Sequence, residues 1–283
     1  MGAISKECPF LYKDFIEQEG EFSELYVKLD KYWTEEREEE KVRMNSRVKI
    51  DRTIWIFWLQ GLEKAPVLVK KCFDSVLRNK PDDFDLVVLT ENNLNQYIDL
   101  PCYIIEKYKD GKMGVTHLSD IIRVELLYSY GGCWIDATVF CMDKIPRFMF
   151  EEMFLFQITS VLTRPVVNIS NWWIYARKGN LIISRVRQVL LSFWKNENII
   201  WNYFLFHIIF AKVVNSDEKC KSVFDKIPYY NSGNAHVLYS KLGQNYSEEK
   251  WSVIKYISPV QKLSYKKRFI RGDIESNYVH IIS

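Results

Sequence analysis

The sequence has few of the residues that interrupt regular structure, with 11 glycines and 8 prolines among 283 residues. This scarcity excludes a collagen-like repeat and a Gly/Pro-rich linker. The sequence also lacks long apolar runs, and the nearest, residues 199–214, contains Asn202, His207 and Lys212. We therefore expect no membrane-spanning segment, and the opening residues do not have the pattern of a secretion signal.

Cysteine pairing and net charge are equally limited, and each excludes a class of function. The six cysteines show neither a CxxC pair nor the spacing of a zinc site, so they predict buried, reduced thiols in a cytoplasmic protein. The formal net charge is only +3, which is too small to indicate nucleic-acid binding. A hydrophobic fraction of 48% and a charged fraction of 27% are typical of a packed globular protein.

Apolar residues at helical spacing mark the first part of the chain. The pattern covers residues 9–47 and includes a charged run at residues 35–41. We interpret the charged run as the solvated end of a helix whose apolar side packs on the main domain. The sequence thus predicts a helical segment at residues 1–50 and a main domain at residues 51–283.

The main domain opens with the pattern of a parallel sheet. Residues 53–58 and 84–89 are short apolar runs that predict buried strands, and a helix is predicted between them at residues 66–78. Strand, helix and strand at this spacing indicate an α/β fold with parallel strands. Ligands of such sheets bind beyond the carboxyl ends of the strands, so Gln60 and Gly61 lie near a predicted ligand crevice.

A second helix and strand are predicted in the middle of the chain. The helix runs from Asp120 to Tyr130, with Ser119 as its cap, and the strand at residues 133–135 carries Asp136 at its tip. The other predicted elements are a helix at 92–98, strands at 103–105, 154–158 and 172–176, and helices at 181–194 and 199–214.

The segment around this helix has the residues that sugar-nucleotide chemistry needs. Asp120 and Arg123 are three residues apart, so they share one face of the helix. Alone, such a pair is an ordinary surface ion pair, but a Gly131-Gly132 turn then leads to Asp136. A sugar-nucleotide site needs a carboxylate for sugar hydroxyls, a cation or metal for the diphosphate, and a tight turn for close backbone approach. This segment supplies all three.

The same segment contains the run Asp120-x-x-Arg123-x-x-x-Leu127-Tyr128-x-x-Gly131-Gly132-x-Trp134-x-Asp136. The run resembles the signature of glycosyltransferases with a DxD sugar-binding region. That group includes glycosyltransferase family 32 and the bacterial capsular polysaccharide synthesis transferases. Residues 134–138 are most similar to the capsular branch, and weaker similarities lie at residues 54–61, 203–207 and 258–263.

This resemblance implies a GT-A fold, a nucleotide-binding α/β sheet flanked by helices, with added helical segments at both ends. It implies transfer of a hexose from a UDP-sugar to a glycan acceptor with retention of anomeric configuration, in the synthesis of capsular or cell-surface polysaccharide. Asp120 would bind donor-sugar hydroxyls, Arg123 would support the sugar or the diphosphate, and Asp136 would bind a metal. These three are the candidate catalytic residues. The other candidate donor contacts are Gln60, Gly61, His117, Gly132 and Lys262.

The chain departs from the DxD pattern at Thr138, where a second carboxylate is expected. Carboxylate oxygens are the preferred ligands of hard divalent ions, so Asp136 loses its strongest partner. We still expect Mn²⁺ or Mg²⁺ at Asp136, with Thr138 contributing its hydroxyl and His236 as a further ligand. A lone histidine is more often structural, and we interpret His207 as buried in an apolar helix.

Acceptor recognition is less well marked. Trp172 and Asn202 are candidate acceptor-binding residues, although core packing is the ordinary role of such a tryptophan. The glycan acceptor is either lipid-linked or carried by a glycoprotein. The basic cluster at residues 266–268 can contact anionic headgroups, which would place the enzyme at the inner face of the membrane. The alternatives are a non-catalytic nucleotide-sugar-binding relative, favoured by Thr138, and a membrane or nucleic-acid binding module.

Overall fold

The computed structural model describes residues 9–33, 44–158, 166–266 and 275–283, with side chains from residue 17 onward. In this part of the chain the strands are β1 (Thr53–Phe57), β2 (Asp85–Leu89), β3 (Gly132–Ile135), β4 (Val139–Cys141), β5 (Met153–Gln157), β6 (Ile169–Ala176) and β7 (Val260–Lys262). Five of them form one sheet in the order β2-β1-β3-β6-β5, and β4 pairs with β7.

The main sheet is mixed. Strand β1 runs parallel to both β2 and β3, as the strand-helix-strand pattern predicts. Strand β6 then pairs antiparallel with β3 and with β5. The expectation of parallel strands is therefore confirmed for the first half of the sheet, and the second half is antiparallel. The smaller β4-β7 sheet is antiparallel and brings Lys262 opposite Val139, close to the end of β3.

Helices cover both faces of this sheet. They are α1 (Pro9–Lys28), α2 (Val67–Asn79), α3 (Cys102–Lys109), α4 (Val115–Tyr130), α5 (Leu181–Asn196), α6 (Leu205–Ser216), α7 (Glu218–Phe224), α8 (Val237–Lys241), α9 (Glu248–Ile257) and α10 (Asn277–Ile282). The predicted fold class, an α/β sheet flanked by helices with helical segments at both ends, is confirmed.

Alternation along the central strands explains why they are apolar throughout. Trp55 and Trp134 point to the face that α4, α5 and α6 cover, whereas Ile54 and Ile135 point to the opposite core. Successive side chains of a strand point to opposite faces, so a strand covered on both sides needs apolar residues at every position. The sheet thus forms a rigid middle layer between two hydrophobic cores.

The N-terminal helix is part of the larger of these cores. Phe22, Leu25 and Leu29 are buried with residues of α5 and α6. An ion pair joins Asp30 to Lys212 of α6. The helix predicted over residues 9–47 is confirmed over Pro9–Lys28, but Leu29–Tyr32 forms a 3₁₀ turn and residues 44–47 are not helical. The charged run at residues 35–41 and residues 267–268 of the basic cluster lie outside the described residues.

One predicted strand is part of a helix, and one predicted helix begins earlier than expected. The predicted strand at residues 103–105 lies within helix α3, where Ile104 is fully buried and Pro101 occupies the N-cap. Three apolar residues in a row cannot show which period they follow, and the fixed φ of proline favours a helix start. Helix α4 begins at Val115 rather than after Ser119, whose hydroxyl donates to the Thr116 carbonyl inside the helix.

Other boundaries and burial states also differ from the predictions. Helix α6 begins at Leu205 rather than near residue 199, because the Asn202 side chain accepts from Phe204 N and stops earlier helical bonds. Residues 92–98 contain only a short 3₁₀ turn at Leu94–Gln96. Among the described cysteines, four are buried and free, whereas Cys102 is exposed. No helix in the described ranges is long and apolar enough to span a bilayer.

Candidate functional site

A cavity of about 310 Å³ lies beyond the carboxyl end of β3. Helices α4 and α6, the start of β6 and strand β7 all contribute to its wall. Its lining consists of Thr116, Ser119, Asp120, Arg123, Asp136, Ile158, Ser170, Asn171, Trp172, Tyr203, Phe204, His207, Ser232, His236 and Lys262. The cavity therefore collects Asp120, Arg123, Asp136, Trp172, His236 and Lys262, six of the residues that the sequence singles out.

Asp136 is fixed at the floor of this cavity by the end of the sheet. Its backbone N–H donates to the Trp172 carbonyl at 2.8 Å, which extends the β3-β6 ladder by one residue. Its Oδ1 accepts from Trp134 Nε1 at 2.9 Å. The side chain remains 29% exposed, so the carboxylate is held by the sheet yet is open to a ligand.

Arg123 joins the two carboxylates of the cavity. The side chain of Arg123 is 2% exposed. Its Nη1 donates to Asp120, and its Nη2 lies 3.4 Å from Asp136 Oδ1. Its Cζ lies 4.8 Å from the centre of the Trp134 ring, so the cation also stacks on an aromatic face. A buried cation without partners is costly, so these contacts stabilise the arginine in one position. That position fixes both carboxylates relative to each other.

Asp120 is the more deeply buried carboxylate. Its Oδ1 also accepts from Asn171 Nδ2 at 3.0 Å, and its Oδ2 lies 3.7 Å from His117 Nδ1. Burial opposes ionisation, but Arg123 and His117 outweigh it and hold the pKa of Asp120 below its usual value. Asp120 is therefore an ionised acceptor that is largely shielded from solvent and has the capacity to bind hydroxyl groups in the cavity.

Lys262 is the second cation of the site, and it comes from the far end of the chain. Its Nζ lies 3.3 Å from Asp136 Oδ2 and donates to the Thr138 hydroxyl. The β4-β7 pairing and a hydrogen bond of 2.9 Å from Leu263 N to the Thr138 carbonyl fix the lysine backbone. The side chain is 19% exposed and lines the cavity. Two carboxylates thus face two cations in this site.

Two histidines line the same cavity and differ in their contacts. His207 is buried, and this burial lowers the pKa of its imidazole to about 4, so the ring is neutral. Its Nδ1 has no hydrogen-bond partner among the described residues. His236 Nδ1 lies 2.8 Å from the Ser232 carbonyl. A carbonyl only accepts, so the Nδ1 of His236 carries the proton and Nε2 is left for a ligand.

The predicted metal ligands do not fit a divalent ion well. Asp136 and Thr138 both contact the ammonium of Lys262, which takes the position between them. In the ranges that the structure describes, no three His, Cys, Asp or Glu side chains form a metal-binding group. One carboxylate beside a hydroxyl is a weak donor set for Mn²⁺ or Mg²⁺. The position of His236 would allow it to contribute only a single nitrogen.

Several predicted site residues lie elsewhere or have another local role. Gln60 and Gly61 follow β1 and do not line the cavity. Gly132 lies at the opposite end of β3 from Asp136, where a Cβ would meet the Thr53 carbonyl oxygen at 2.2 Å. Packing of β3 against β1 therefore explains this glycine, and we assign it no donor contact.

Three more candidates are adjacent to the cavity or help to shape it. Asn202 donates to Glu21 at 2.6 Å and is absent from the cavity lining, so its observed contacts hold α1 against the start of α6. His117 is buried beside Asp120 rather than in the lining itself. Trp172 is 5% exposed and stacks on Phe156 at 4.3 Å between ring centres, which leaves little of its face for an acceptor.

Some residues of the cavity carried no prediction. Asn171 holds Asp120 from β6, and Ser170 and Ser232 share a hydrogen bond of 2.7 Å between their hydroxyls. The available signal was the polar pair Ser170-Asn171 inside an otherwise apolar strand. Such an interruption in a buried strand marks a position where a polar partner is needed.

Comparisons with known proteins place the chain in a family. A family model described as capsular polysaccharide synthesis protein matches residues 9–281. The O-glycosyltransferase braB of Annulohypoxylon truncatum is 28% identical over 167 residues, which are 52% of this chain and 38% of that protein. The O-glycosyltransferase PaGT of Phomopsis amygdali is 25% identical over 166 residues, 52% of this chain and 40% of that protein.

The chain spans about two fifths of the length of these curated relatives. The solved structure of the PaToxG glycosyltransferase is 14% identical, covers 75% of this chain and 84% of that chain, and has a TM-score of 0.43. The curated relatives are fungal, so they do not support the bacterial branch that the resemblance indicates. The family model, however, extends from α1 to α10, and the chain belongs to the capsular polysaccharide synthesis protein family.

Proposed function

We propose that this protein is a GT-A-type glycosyltransferase that moves a hexose from a UDP-sugar to a hydroxyl of a glycan acceptor, in capsular or cell-surface polysaccharide synthesis. The observation that carries the proposal is the Asp120–Arg123–Asp136–Lys262 cluster, which opens into a cavity at the carboxyl end of β3. The curated relatives braB and PaGT are named O-glycosyltransferases, which agrees with an acceptor that reacts through oxygen.

The donor sugar is assigned to the side of the cavity at Asp120. An ionised, buried carboxylate accepts strong hydrogen bonds from sugar hydroxyls, because little water competes for it. Asn171 and Arg123 keep that carboxylate in one orientation. Arg123 thus acts mainly by positioning, since Nη1 and Nη2 each already contact one of the two carboxylates.

The diphosphate is assigned to the side at Asp136 and Lys262, where the carboxylate and the ammonium are both partly exposed. Leaving-group departure places negative charge on the diphosphate, and a preorganised cation stabilises that charge. Lys262 supplies such a cation on a strand that pairs with β4. The loop after β1 is assigned to the nucleoside, as the resemblance over residues 54–61 implies.

Retention of configuration is the proposed stereochemical course. Among the described residues of the cavity, the carboxylates are Asp120 and Asp136, and each is paired with a cation. A carboxylate held by a cation is a poor base, so neither is suited to deprotonate an acceptor behind the sugar. Attack from the face of the departing phosphate, with that phosphate accepting the proton, needs no such base.

The second candidate is a non-catalytic nucleotide-sugar-binding relative. The observation in its favour is Thr138, because a full DxD pair is missing. Slow hydrolysis of a UDP-sugar by the protein alone would exclude it. An acceptor on a glycoprotein rather than on a lipid-linked glycan leaves the donor site unchanged.

Calorimetric titration with UDP, run once with Mn²⁺ and once with EDTA, tests the proposed donor site. Hydrolysis of a panel of UDP-hexoses is measured alongside it. We expect UDP binding in at least one condition, and a loss of about hundredfold in turnover for Asp136→Asn, because Arg123 and Lys262 then lose the carboxylate that holds them in position. Asp74→Asn, an exposed residue of α2, is the matched control and should retain full activity. No UDP binding in either condition would refute the donor site.

A further inference from the structure

Lys262 lies in the place where the sequence pattern puts a metal ion. We propose that its ammonium replaces the divalent cation and binds the donor diphosphate directly, so that nucleotide binding by this protein is independent of metal. The inference rests on the proposed function, because it concerns the cation that the UDP-sugar meets. It concerns a single side chain contributed by β7.

The geometry places this ammonium between the two residues of the motif. Asp136 and Thr138 occupy the positions whose side chains would chelate the ion in a DxD sequence. Lys262 Nζ contacts both of them, at 3.3 Å from Asp136 Oδ2 and through a hydrogen bond to the Thr138 hydroxyl. An ion bound by the same two side chains would have to displace the lysine.

Charge matching points in the same direction. Two carboxylates carry two negative charges, which suits a divalent ion. Here Thr138 replaces one carboxylate, so the pair carries a single negative charge, which a single ammonium balances. The change at position 138 and the lysine at position 262 thus form one consistent exchange.

The ammonium also has a donor to spare. An ammonium has three N–H donors, and the contacts with Asp136 and Thr138 occupy two of them. The side chain lines the cavity and is 19% exposed, so the third donor is available to an anionic oxygen. Because β7 is paired with β4 and Leu263 N bonds the Thr138 carbonyl, the cation is preorganised and needs little rearrangement when the diphosphate binds.

UDP titration of three proteins tests the inference: the unmodified chain, Lys262→Met and the double variant Thr138→Asp/Lys262→Met. Methionine keeps most of the side-chain length but removes the charge. We expect the unmodified protein to bind UDP equally well in EDTA and in Mn²⁺. The Lys262→Met protein should bind about tenfold more weakly in both, since one charged contact is lost.

The double variant should regain affinity in Mn²⁺ alone, because it restores two carboxylates and vacates the space between them. The electron paramagnetic resonance signal of free Mn²⁺ gives a second readout: it should persist with the unmodified protein and weaken only with the double variant. Lys226→Met removes an exposed lysine and is the matched control. Thermal unfolding confirms that each variant is folded, and if Lys262→Met is not, the unmodified protein alone decides.

The outcomes separate the two proposals. UDP binding by the unmodified protein only in Mn²⁺, or unchanged binding by Lys262→Met, would overturn the metal-independent site while leaving the transferase intact. No UDP binding by the unmodified protein in either condition would overturn both. Equal binding in EDTA and Mn²⁺, together with the weakened lysine variant, would establish Lys262 as the diphosphate cation.

Discussion

His207 makes the stability of the protein depend on pH. Its folded-state pKa of about 4 is below the ordinary value of 6.5, because burial outweighs the attraction of Asp120. Between these two pH values the unfolded chain binds a proton that the folded chain does not, so stability falls as pH is lowered. The neighbouring charges are Asp120, Arg123 and Asp136, and the low pKa of Asp120 adds a loss of the same sign at lower pH.

We predict that the free energy of unfolding falls by about 3 kcal/mol between pH 6.5 and pH 4 because of His207 alone. This value follows from the difference between the pKa of His207 in the unfolded and in the folded chain. The variant His207→Leu should show a correspondingly shallower decline over that interval. Urea unfolding at a series of pH values measures it. His280→Gln, which changes an exposed histidine, is the control. Parallel profiles for His207→Leu and the unmodified protein would contradict the prediction.

The sequence identifies site residues from several parts of the chain, but it predicts how they are arranged relative to one another only where they lie close together in the chain. Asp120, Arg123 and Asp136 could be predicted, because one helix and the next strand carry all three and the local pattern fixes their faces. The contact of Lys262 with Thr138 spans 124 positions, and no local pattern encodes such a pairing. Because the sequence does not reveal that Lys262 contacts Asp136 and Thr138, it predicts a metal at Asp136. That metal stays a prediction, and the observed contacts do not favour it.

At the scale of elements, strand β7 depends on one buried amide. Gln261 is fully buried, and its Nε2 donates to the Asn234 and Ser258 carbonyls at 3.1 and 2.9 Å. Its Oε1 accepts from Leu238 N at 2.9 Å. The residue therefore links β7 to the start of α8 and to the turn that carries His236. His236 and Lys262, which both line the cavity, therefore lie on two segments that Gln261 joins.

We predict that Gln261→Leu lowers the free energy of unfolding by about 3 kcal/mol, since backbone groups buried in the core lose their partners. It should also weaken the proposed UDP binding, because Lys262 is the next residue on the strand. Chemical unfolding and UDP titration measure the two effects. The matched control is Gln244→Leu, a change at an exposed glutamine. Unchanged UDP affinity in a folded Gln261→Leu protein would show that β7 is positioned by other contacts.

The helices and strands could be predicted from the sequence where the apolar pattern is long or where a residue such as proline marks the end of the element. The strand at β1 and helix α2 match the predictions to within a residue or two, since an apolar run and a proline mark them clearly. The short strand predicted at residues 103–105 failed because tertiary burial of Ile104 suits a helix equally well. The antiparallel half of the sheet was not evident, because the direction of β6 depends on its pairing with β3.

At the scale of the molecule, the hydrophobic cores and the charged site lie in different places relative to the sheet. Its central strands are buried on both faces and supply rigidity, whereas all the charges of the site gather beyond one end of β3. The site also draws on both halves of the sequence, from α4 to β7. A site assembled from such distant segments forms only when the whole molecule is folded. Stability and the proposed donor binding should therefore respond together to changes in the core.

The N-terminal helix provides the test of that coupling. Phe22 is 3% exposed and packs edge-to-face on Phe204, a residue of the cavity wall, at 5.5 Å between ring centres. We predict that Phe22→Ala lowers the free energy of unfolding by about 3 kcal/mol, the usual cost of deleting a buried aromatic ring. Val27→Ala, on the same helix but 62% exposed, should change it little.

Unfolding followed by both circular dichroism and tryptophan fluorescence decides whether the helix shares the cooperative unit of the sheet. Coincident transitions that shift together in Phe22→Ala are expected, because the helix contributes to the same core as α5 and α6. An earlier, separate loss of helical signal would instead show that residues 1–50 unfold alone. The division predicted at residue 50 would then be a boundary between independently stable parts, and the proposed UDP binding would survive the loss of the helix.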